Sequence, residues 1–264
     1  MLNSLNRLWK YRGFIVTSVK REFQLRYRNS LLGVSWTILN PLALILVYTL
    51  VFSQVMKARL PGAEIPYAYS IFLMSGLLPW GLFTEILNRG QGIFLENSNL
   101  LKKINFPHLS LPIVALCSSL INFLIIFSMF ILFLFISDAF PGRVFWTFIP
   151  VLIIQIVLAV GIALILGVLN VFFRDVGHLT NVFLQFWFWL TPIVYVSSFI
   201  PEPYQGWMAL NPIAPIIEAY HQIFVYQRSP QWASLVPTTV LSIMVLLLAW
   251  RLFQKRSAEM LDEL

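Results

Sequence analysis

The residues that could do chemistry are few in this sequence, and they are scattered along it. Aspartate occurs only at positions 138, 175 and 262, so there is no Asp-x-Asp motif for glycosyl transfer, and a hydrolase constellation is equally hard to assemble. The three histidines lie far apart, and the single cysteine, Cys117, is embedded in an apolar run. This pattern argues against a metal cluster and an internal disulfide, and it favours Cys117 as a small buried hydrophobe.

Nucleotide and ion-coupling chemistry are missing as well. The sequence contains no G-x-x-x-x-G-K-[ST] motif, so the chain should not bind a nucleotide through a P-loop. No apolar segment holds the pair of acidic residues that an ion-coupled transporter often needs. We therefore expect no cofactor and no metal on this chain.

The composition is that of a membrane protein. Of the 264 residues, 59% are hydrophobic and only 11% are charged, whereas a soluble domain has about a quarter charged residues. The net charge is +7, and the basic residues flank the apolar runs. That placement favours binding at an anionic membrane surface, with no nucleic acid partner.

Six apolar segments are long enough to cross about 30 Å of hydrocarbon as helices, and the short alternating segments of a β-barrel are not evident. The predicted fold class is therefore an all-α integral membrane protein with six transmembrane helices. The predicted spans cover residues 34–56, 67–87, 109–137, 145–173, 179–196 and 233–250.

The distribution of basic residues predicts the orientation of these spans. An even number of spans places both termini on one side, and that side would hold 14 of the 18 Lys and Arg residues. Loops rich in Lys and Arg stay in the cytoplasm. Both termini are therefore predicted to be cytoplasmic.

Three segments outside the spans carry further predictions. Residues 5–28 place apolar side chains at helical spacing between basic ones, which favours an amphipathic helix in the membrane interface or, as an alternative, a solvated helix packed on a soluble partner. Residues 94–103 can form a short helix in a cytoplasmic loop, stopped by Pro107. Residues 197–232 contain five prolines yet remain apolar, which predicts one or two short helices dipping back into the outer leaflet.

Two sets of side chains in the spans also allow more than one interpretation. Glu85 and Arg89 are four apart and can form an ion pair, or Arg89 can recognise an anionic lipid phosphate. Aromatic rings crowd the fifth span, where they can stack on the C–H faces of sugars in a conduit or serve as ordinary packing and interface residues. The candidate conduit residues are Phe183, Phe186, Trp187, Trp189 and Tyr195.

Several segments, in order, resemble the permease subunits of type-2 ABC exporters for polysaccharides such as O-antigen, capsule and teichoic acid. These segments are Tyr27–Gly33 with Trp36 and Asn40-Pro41, Gly76–Trp80, Asn99–Pro107, Phe173–Val176 with His178, Phe188–Tyr195, and Asn211-Pro212.

The resemblance implies a homodimer of this chain with two separate ABC ATPase subunits, which would bind ATP and Mg. It implies a multi-pass location in the bacterial inner membrane and export of an undecaprenyl-pyrophosphate-linked polysaccharide, with O-antigen favoured over capsule or teichoic acid. A nearer alternative is an ABC exporter of a small lipid or drug, and rivals from other classes are a secondary transporter and, more distantly, a polyprenyl-linked sugar transferase.

The resemblance also assigns roles to regions and residues. Residues 1–32 would form the interface helix, 33–256 the transmembrane domain and 257–264 a cytoplasmic tail, and the segment 197–232 would form an external gate. ATPase coupling falls to Glu96, Asn99, Leu100, Lys102 and Lys103, with a second contact at Arg174, Asp175 and His178. The expected positions for lipid headgroup or interface binding are Arg21, Arg26, Arg28 and Arg89.

Overall fold

Every secondary-structure element in the part of the chain that the structure describes is a helix, as the sequence predicts. The structure is a computed structural model, and it describes residues 11–26, 35–51, 60, 62, 65–102, 108–197, 206, 208, 210–257 and 259–263. The helices are α1 (Arg12–Arg26), α2 (Trp36–Tyr48), α3 (Ala68–Glu96), α4 (Ser98–Leu101), α5 (Ser110–Ile136), a 3-10 helix (Gly142–Thr147), α6 (Phe148–Phe172), α7 (Asp175–Trp189), α8 (Ala214–Phe224), α9 (Trp232–Arg256) and α10 (Glu259–Glu263).

Four helical segments in the described ranges are long and apolar enough to cross a bilayer. They are Ala68–Glu96, Ser110–Ile136, Gly142–Phe172 and Trp232–Arg256, and they coincide with the predicted second, third, fourth and last spans. The predicted first span contains α2, but residues 52–59 lie outside the described ranges. The count of six spans therefore stays a prediction.

The fifth apolar segment differs from its predicted form. The helix expected over residues 179–196 instead occupies Asp175–Trp189, and its 15 residues extend about 22 Å. Pro192 accounts for the early end, because a proline disfavours the helical conformation of the residue before it. Residues 190–197 form a series of turns, so this helix alone is shorter than a bilayer core of about 30 Å.

α3 and α6 form the centre of the bundle, and small residues let them approach closely. A Cβ atom added to Gly90 would lie 2.6 Å from Cβ of Ala163, and one added to Gly167 would lie 2.6 Å from the carbonyl oxygen of Gly90. Close backbone contact through small residues is a common way for helices to associate in lipid. Near the middle of the pair, the buried side chain of Gln155 donates a 2.7 Å hydrogen bond to the carbonyl oxygen of Pro79.

α8 is a short helix in the predicted external segment, and it is almost wholly enclosed. Its 11 residues extend about 16 Å, and it packs against α3, α6 and α9. Tyr220, Ile223 and Phe224 are fully buried, and His221 stacks on Phe72 of α3 with ring centroids 3.9 Å apart. A short helix is what the sequence predicts here, while its depth in a bilayer stays a prediction.

α1 lies along α5. Its side chains Ile15, Val19 and Phe23 lie one turn apart and are buried or half-buried, whereas Val16 is 66% exposed. The amphipathic interface helix stays a prediction. Residues 1–10 and 27–34 of that predicted segment lie outside the described ranges.

Candidate functional site

One end of the bundle gathers the segments that the sequence predicts as ATPase contacts. We call it the basal end, defined by the last residues of α3, α6 and α9: Glu96, Phe172 and Arg256. A compact apolar cluster that includes Phe94, Leu101 and Phe253 holds these helix ends together. The predicted tail also takes part, because Met260 of α10 is buried in the same cluster.

The predicted coupling helix over residues 96–103 is divided into two parts. Glu96 is the last residue of α3, and α4 forms a separate turn at Ser98–Leu101. Asn97 breaks the helix between them, and its side-chain amide donates a 2.9 Å hydrogen bond to the carbonyl oxygen of Ile93. Leu101 anchors α4 in the basal cluster with 3% of its surface exposed.

The anchored turn presents several of the predicted coupling residues outward. Glu96, Asn99 and Lys102 are exposed, and Leu100 is half-buried. Lys103 lies outside the described residues. A rigidly held turn with an exposed polar surface is suited to contact a partner protein, because little conformational entropy is lost when it binds.

The second predicted contact lies at the start of α7. Arg174, Asp175 and His178 are all exposed there. Asn170, which the sequence analysis did not single out, fixes this helix start: its side-chain oxygen accepts a 3.1 Å hydrogen bond from the amide of Gly177, and its nitrogen donates a 2.8 Å bond to the carbonyl oxygen of Gln91. The second contact is thereby tied to the last turns of α3, close to the segment that continues into α4.

The basal end also exposes several basic side chains, namely Lys102, Arg174, Arg251 and Lys255. His108 adds no charge at neutral pH, because its partial burial lowers the pKa of the imidazole below its ordinary value. The same end also exposes the acidic side chains of Glu96, Asp175, Glu259, Asp262 and Glu263, so its described surface carries charges of both signs.

An exposed aromatic surface runs along α7. Phe183, Phe186 and Trp189 are 57%, 66% and 65% exposed, respectively, and in α7 only Thr180 and Leu184 are buried. Leu179, Val182 and Leu190 extend the same surface. We call the side chains of Phe183, Phe186 and Trp189 the aromatic face.

Trp187 does not belong to this face. Its ring packs edge-on against Phe83 of α3 with centroids 5.4 Å apart, and its indole N–H donates a 2.8 Å hydrogen bond to the side-chain oxygen of Asn211. Asn211 in turn donates to the Leu190 carbonyl oxygen and the Thr191 hydroxyl. Trp187 therefore joins the end of α7 to the segment before α8, and this position favours a structural role.

Tyr195, the last of the predicted conduit residues, lies beyond the end of α7. It is half-buried in the turns that follow, and its hydroxyl group donates a 2.9 Å hydrogen bond to the carbonyl oxygen of Trp189. The ring is held next to the aromatic face, but it lies on a turn and does not continue the helix surface.

A network of charged and polar groups joins α1 to the two helices beneath it. Arg89 of α3 contacts Glu85 through a 3.0 Å hydrogen bond, which confirms the predicted i,i+4 pair, and it also pairs with Glu22 of α1. Glu22 accepts a 2.6 Å hydrogen bond from the hydroxyl of Ser118. The amide of Asn122 donates a 2.8 Å bond to Glu85. Sequence reasoning missed Glu22, because its partner lies 67 positions away.

The network faces a cavity of about 910 Å³ between α1, α3 and α5. Arg21 and Arg89, two of the predicted headgroup or interface residues, both line it, and so do the neutral side chains of Thr84 and Asn88. The side chain of Arg26 and the whole of Arg28 lie outside what the structure describes. The structure thus brings two of the four predicted basic residues to a single polar cavity.

Comparison with known proteins gives a consistent picture. The chain matches the ABC-2 type transporter family over residues 14–225. An O-antigen export system permease protein of Myxococcus xanthus is 31% identical to it over the full length of both chains, and another from Klebsiella pneumoniae is 30% identical over 80% of each chain. A polysialic acid transport protein of Escherichia coli is 24% identical over 91% of this chain and 92% of that protein.

These matches confirm the family inferred from the sequence motifs. The matched region runs from the first turn of α1 to the end of α8, and it includes the basal coupling segments and the aromatic face. This multi-pass membrane protein belongs to the ABC-2 type transporter family.

Proposed function

We propose that the chain is the membrane-spanning subunit of an exporter that moves a lipid-linked polysaccharide out of the cytoplasm across the inner membrane. O-antigen carried on undecaprenyl pyrophosphate is the proposed substrate. The observation that carries this proposal is the end-to-end likeness to an O-antigen export permease. The aromatic face of α7 supports it, because flat rings suit the C–H faces of sugars.

We propose that the energy comes from two ABC ATPase subunits on the basal end, which would bind the ATP and Mg. α4 and the start of α7 would receive their movement. Both segments are exposed, and both are tied to the end of α3, α4 directly through the chain and α7 through Asn170. A movement imposed on this surface would pass to α3 and α6, because these helices are in backbone contact at Gly90 and Gly167.

The conduit would form between two copies of the chain, with the aromatic face of each copy toward the polymer. Large rings exposed along one helix would line a path more readily than rings packed inside the bundle. Many weak stacking contacts would suit a polymer in which every sugar has to pass the same point. Trp187 would support this surface from behind, through its contacts with Phe83 and Asn211.

Deletion of the gene in its own bacterium tests the proposed function. The mutant should lose long-chain polysaccharide from its surface and accumulate lipid-linked polymer inside the cell. Immunodetection of the polymer on intact and on opened cells measures both. Normal surface polymer in the mutant would rule the function out. A capsule defect with normal O-antigen would favour the second candidate, capsule export, which the likeness to a polysialic acid transport protein supports.

Substitution of the whole aromatic face tests the conduit. The triple variant Phe183→Ala, Phe186→Ala, Trp189→Ala should lower the export rate by roughly a hundredfold, since three lost stacking contacts of on the order of 1 kcal/mol each sum to about 3 kcal/mol. Pulse labelling of polymer that reaches the cell surface measures this rate.

The control removes exposed aromatic rings from other helices. Phe135 and Trp146 are 56% and 66% exposed, and the variant Phe135→Ala, Trp146→Ala should export at the normal rate. Equal rates for the triple variant and the wild type would show that the aromatic face does not line the path.

A further inference from the structure

Arg89 is shared by two carboxylates, and only one of them belongs to a helix outside the central bundle. Glu85 lies on α3 with Arg89, and its second oxygen is held by Asn122 of α5. Glu22 reaches Arg89 from α1 and is more exposed than Glu85, with 37% of its side chain accessible against 20%. Glu22 is therefore the partner that can leave Arg89, and it would leave together with α1.

We propose that Glu22 occupies the anion-binding position on Arg89 as an internal substitute for a diphosphate group, and that a diphosphate entering the cavity displaces it and releases α1. This inference rests on the proposed function for the origin of the diphosphate, the headgroup of a lipid-linked polymer. The contact between Glu22 and Arg89 occupies the guanidinium group until such a group arrives.

The carboxylate of Glu22 and a diphosphate group can bind the same guanidinium group. An arginine guanidinium binds carboxylates and phosphates with the same fork of N–H donors, so one can replace the other. Two carboxylates on one guanidinium leave a net charge of −1, which repels an incoming anion. Departure of Glu22 leaves Arg89 and Glu85 neutral as a pair, and the guanidinium group then has a free edge for the diphosphate.

The space for the new ligand is already present. The cavity of about 910 Å³ falls within the usual range of ligand pockets, about 300–1,000 Å³. Thr84 and Asn88 line it together with Arg89, and the side-chain amide of Asn88 can donate hydrogen bonds to phosphate oxygens. Because α1 forms one wall, displacement of its carboxylate also opens the cavity.

The binding test uses the purified full-length chain in detergent and the variant Glu22→Gln. Undecaprenyl diphosphate without polymer is one probe, and inorganic pyrophosphate is the other. Glu22→Gln should bind the lipid probe about tenfold more tightly than the wild type, because one like charge next to the anion is gone. Equal affinity of the lipid probe for the two proteins would overturn the proposal. Failure of both probes to bind either protein would overturn it as well.

Two further variants keep the binding test sharp. Glu259→Gln removes the same charge from another pair at the basal end, formed with Arg256, and should leave the affinity unchanged. Ser118→Ala removes one of the bonds that hold Glu22 without altering any charge, and it should raise the affinity by a smaller factor. If Glu22→Gln does not fold, an unchanged affinity in Ser118→Ala overturns the competition.

The movement of α1 is measured separately. Spin labels at Thr17 and Leu124, both exposed, in a Cys117→Ser background report the distance between α1 and α5. The lipid probe should lengthen or broaden this distance in the wild type. A response to pyrophosphate as well shows that the diphosphate suffices, and a response to the lipid alone shows that the chain is also needed. Binding without any change in distance overturns the release of α1.

The failure of this inference can be told apart from failure of the proposed function. A chain that exports polysaccharide in cells, but whose affinity for the diphosphate lipid is unaffected by Glu22→Gln, refutes the exchange alone. A chain that exchanges Glu22 for the diphosphate, but whose deletion leaves surface polysaccharide intact, refutes polysaccharide export and retains the anion site.

Discussion

Replacement of Gly90 by leucine should abolish the folded protein at physiological temperature. A Cβ atom at this position would lie 2.6 Å from Cβ of Ala163 and 3.3 Å from its Cα atom, so α3 and α6 would have to separate along their main contact. Overpacking on this scale should cost about 3 kcal/mol or more. The yield of monodisperse protein and its melting temperature in detergent measure the loss.

Gly81 of the same helix provides the control. A Cβ atom there meets nothing within 4 Å, so Gly81→Leu should melt at or above the temperature of the wild type. A reciprocal exchange sharpens the test: Gly90→Ala should be destabilising, and Ala163→Gly added to it should restore most of the loss. A stable Gly90→Leu protein, or an exchange that restores nothing, would contradict the close crossing.

Reversal of charge at Lys102 and Lys103 should separate ATP hydrolysis from export. Lys102 is exposed next to the anchored turn of α4, and the proposed ATPase surface opposite it would carry complementary charge. Two glutamates there would repel that surface, and like charges across an interface cost several kcal/mol. Surface polymer should fall by about tenfold or more, while the ATPase activity of the complex continues.

The matched variant reverses two other basic residues at the basal end. Arg251 and Lys255 are exposed on the last turns of α9, outside both predicted contacts. The variant Arg251→Glu, Lys255→Glu should export normally with a normal ATPase rate. Undiminished polymer in the Lys102 and Lys103 variant would refute the assignment of α4 as the coupling element.

The long apolar helices were predictable because a bilayer imposes a simple requirement on them. α5 and α6 closely match their predicted limits, since nearly every residue in them is apolar. The end of α3 was harder to predict: it runs to Glu96, beyond the predicted limit at Leu87. Glu85 and Arg89 look like the end of a span when read alone, yet the helix continues past them to Glu96, and Arg89 pairs with Glu22 of α1.

The candidate site was only partly predictable, for reasons of geometry. Exposure of Glu96, Arg174 and Asp175 follows from their charge. The direction of the aromatic rings on α7 cannot be predicted in this way. Several positions of the helix are aromatic, and their spacing alone does not show which side of the helix packs against the bundle. Trp187 turns inward because Asn211, distant in sequence, accepts its N–H. Such contacts depend on tertiary structure, and no local pattern encodes them.

The enclosure of α8 has a consequence for the order in which the protein is made. An 11-residue helix is too short to be released into lipid by itself, and its neighbours cover nearly all of it. α3 and α6 leave the ribosome before α8, but α9, which also packs against it, leaves afterwards. The packing of α8 can therefore be completed only after α9 has been synthesised, because α9 forms part of the groove that α8 fills.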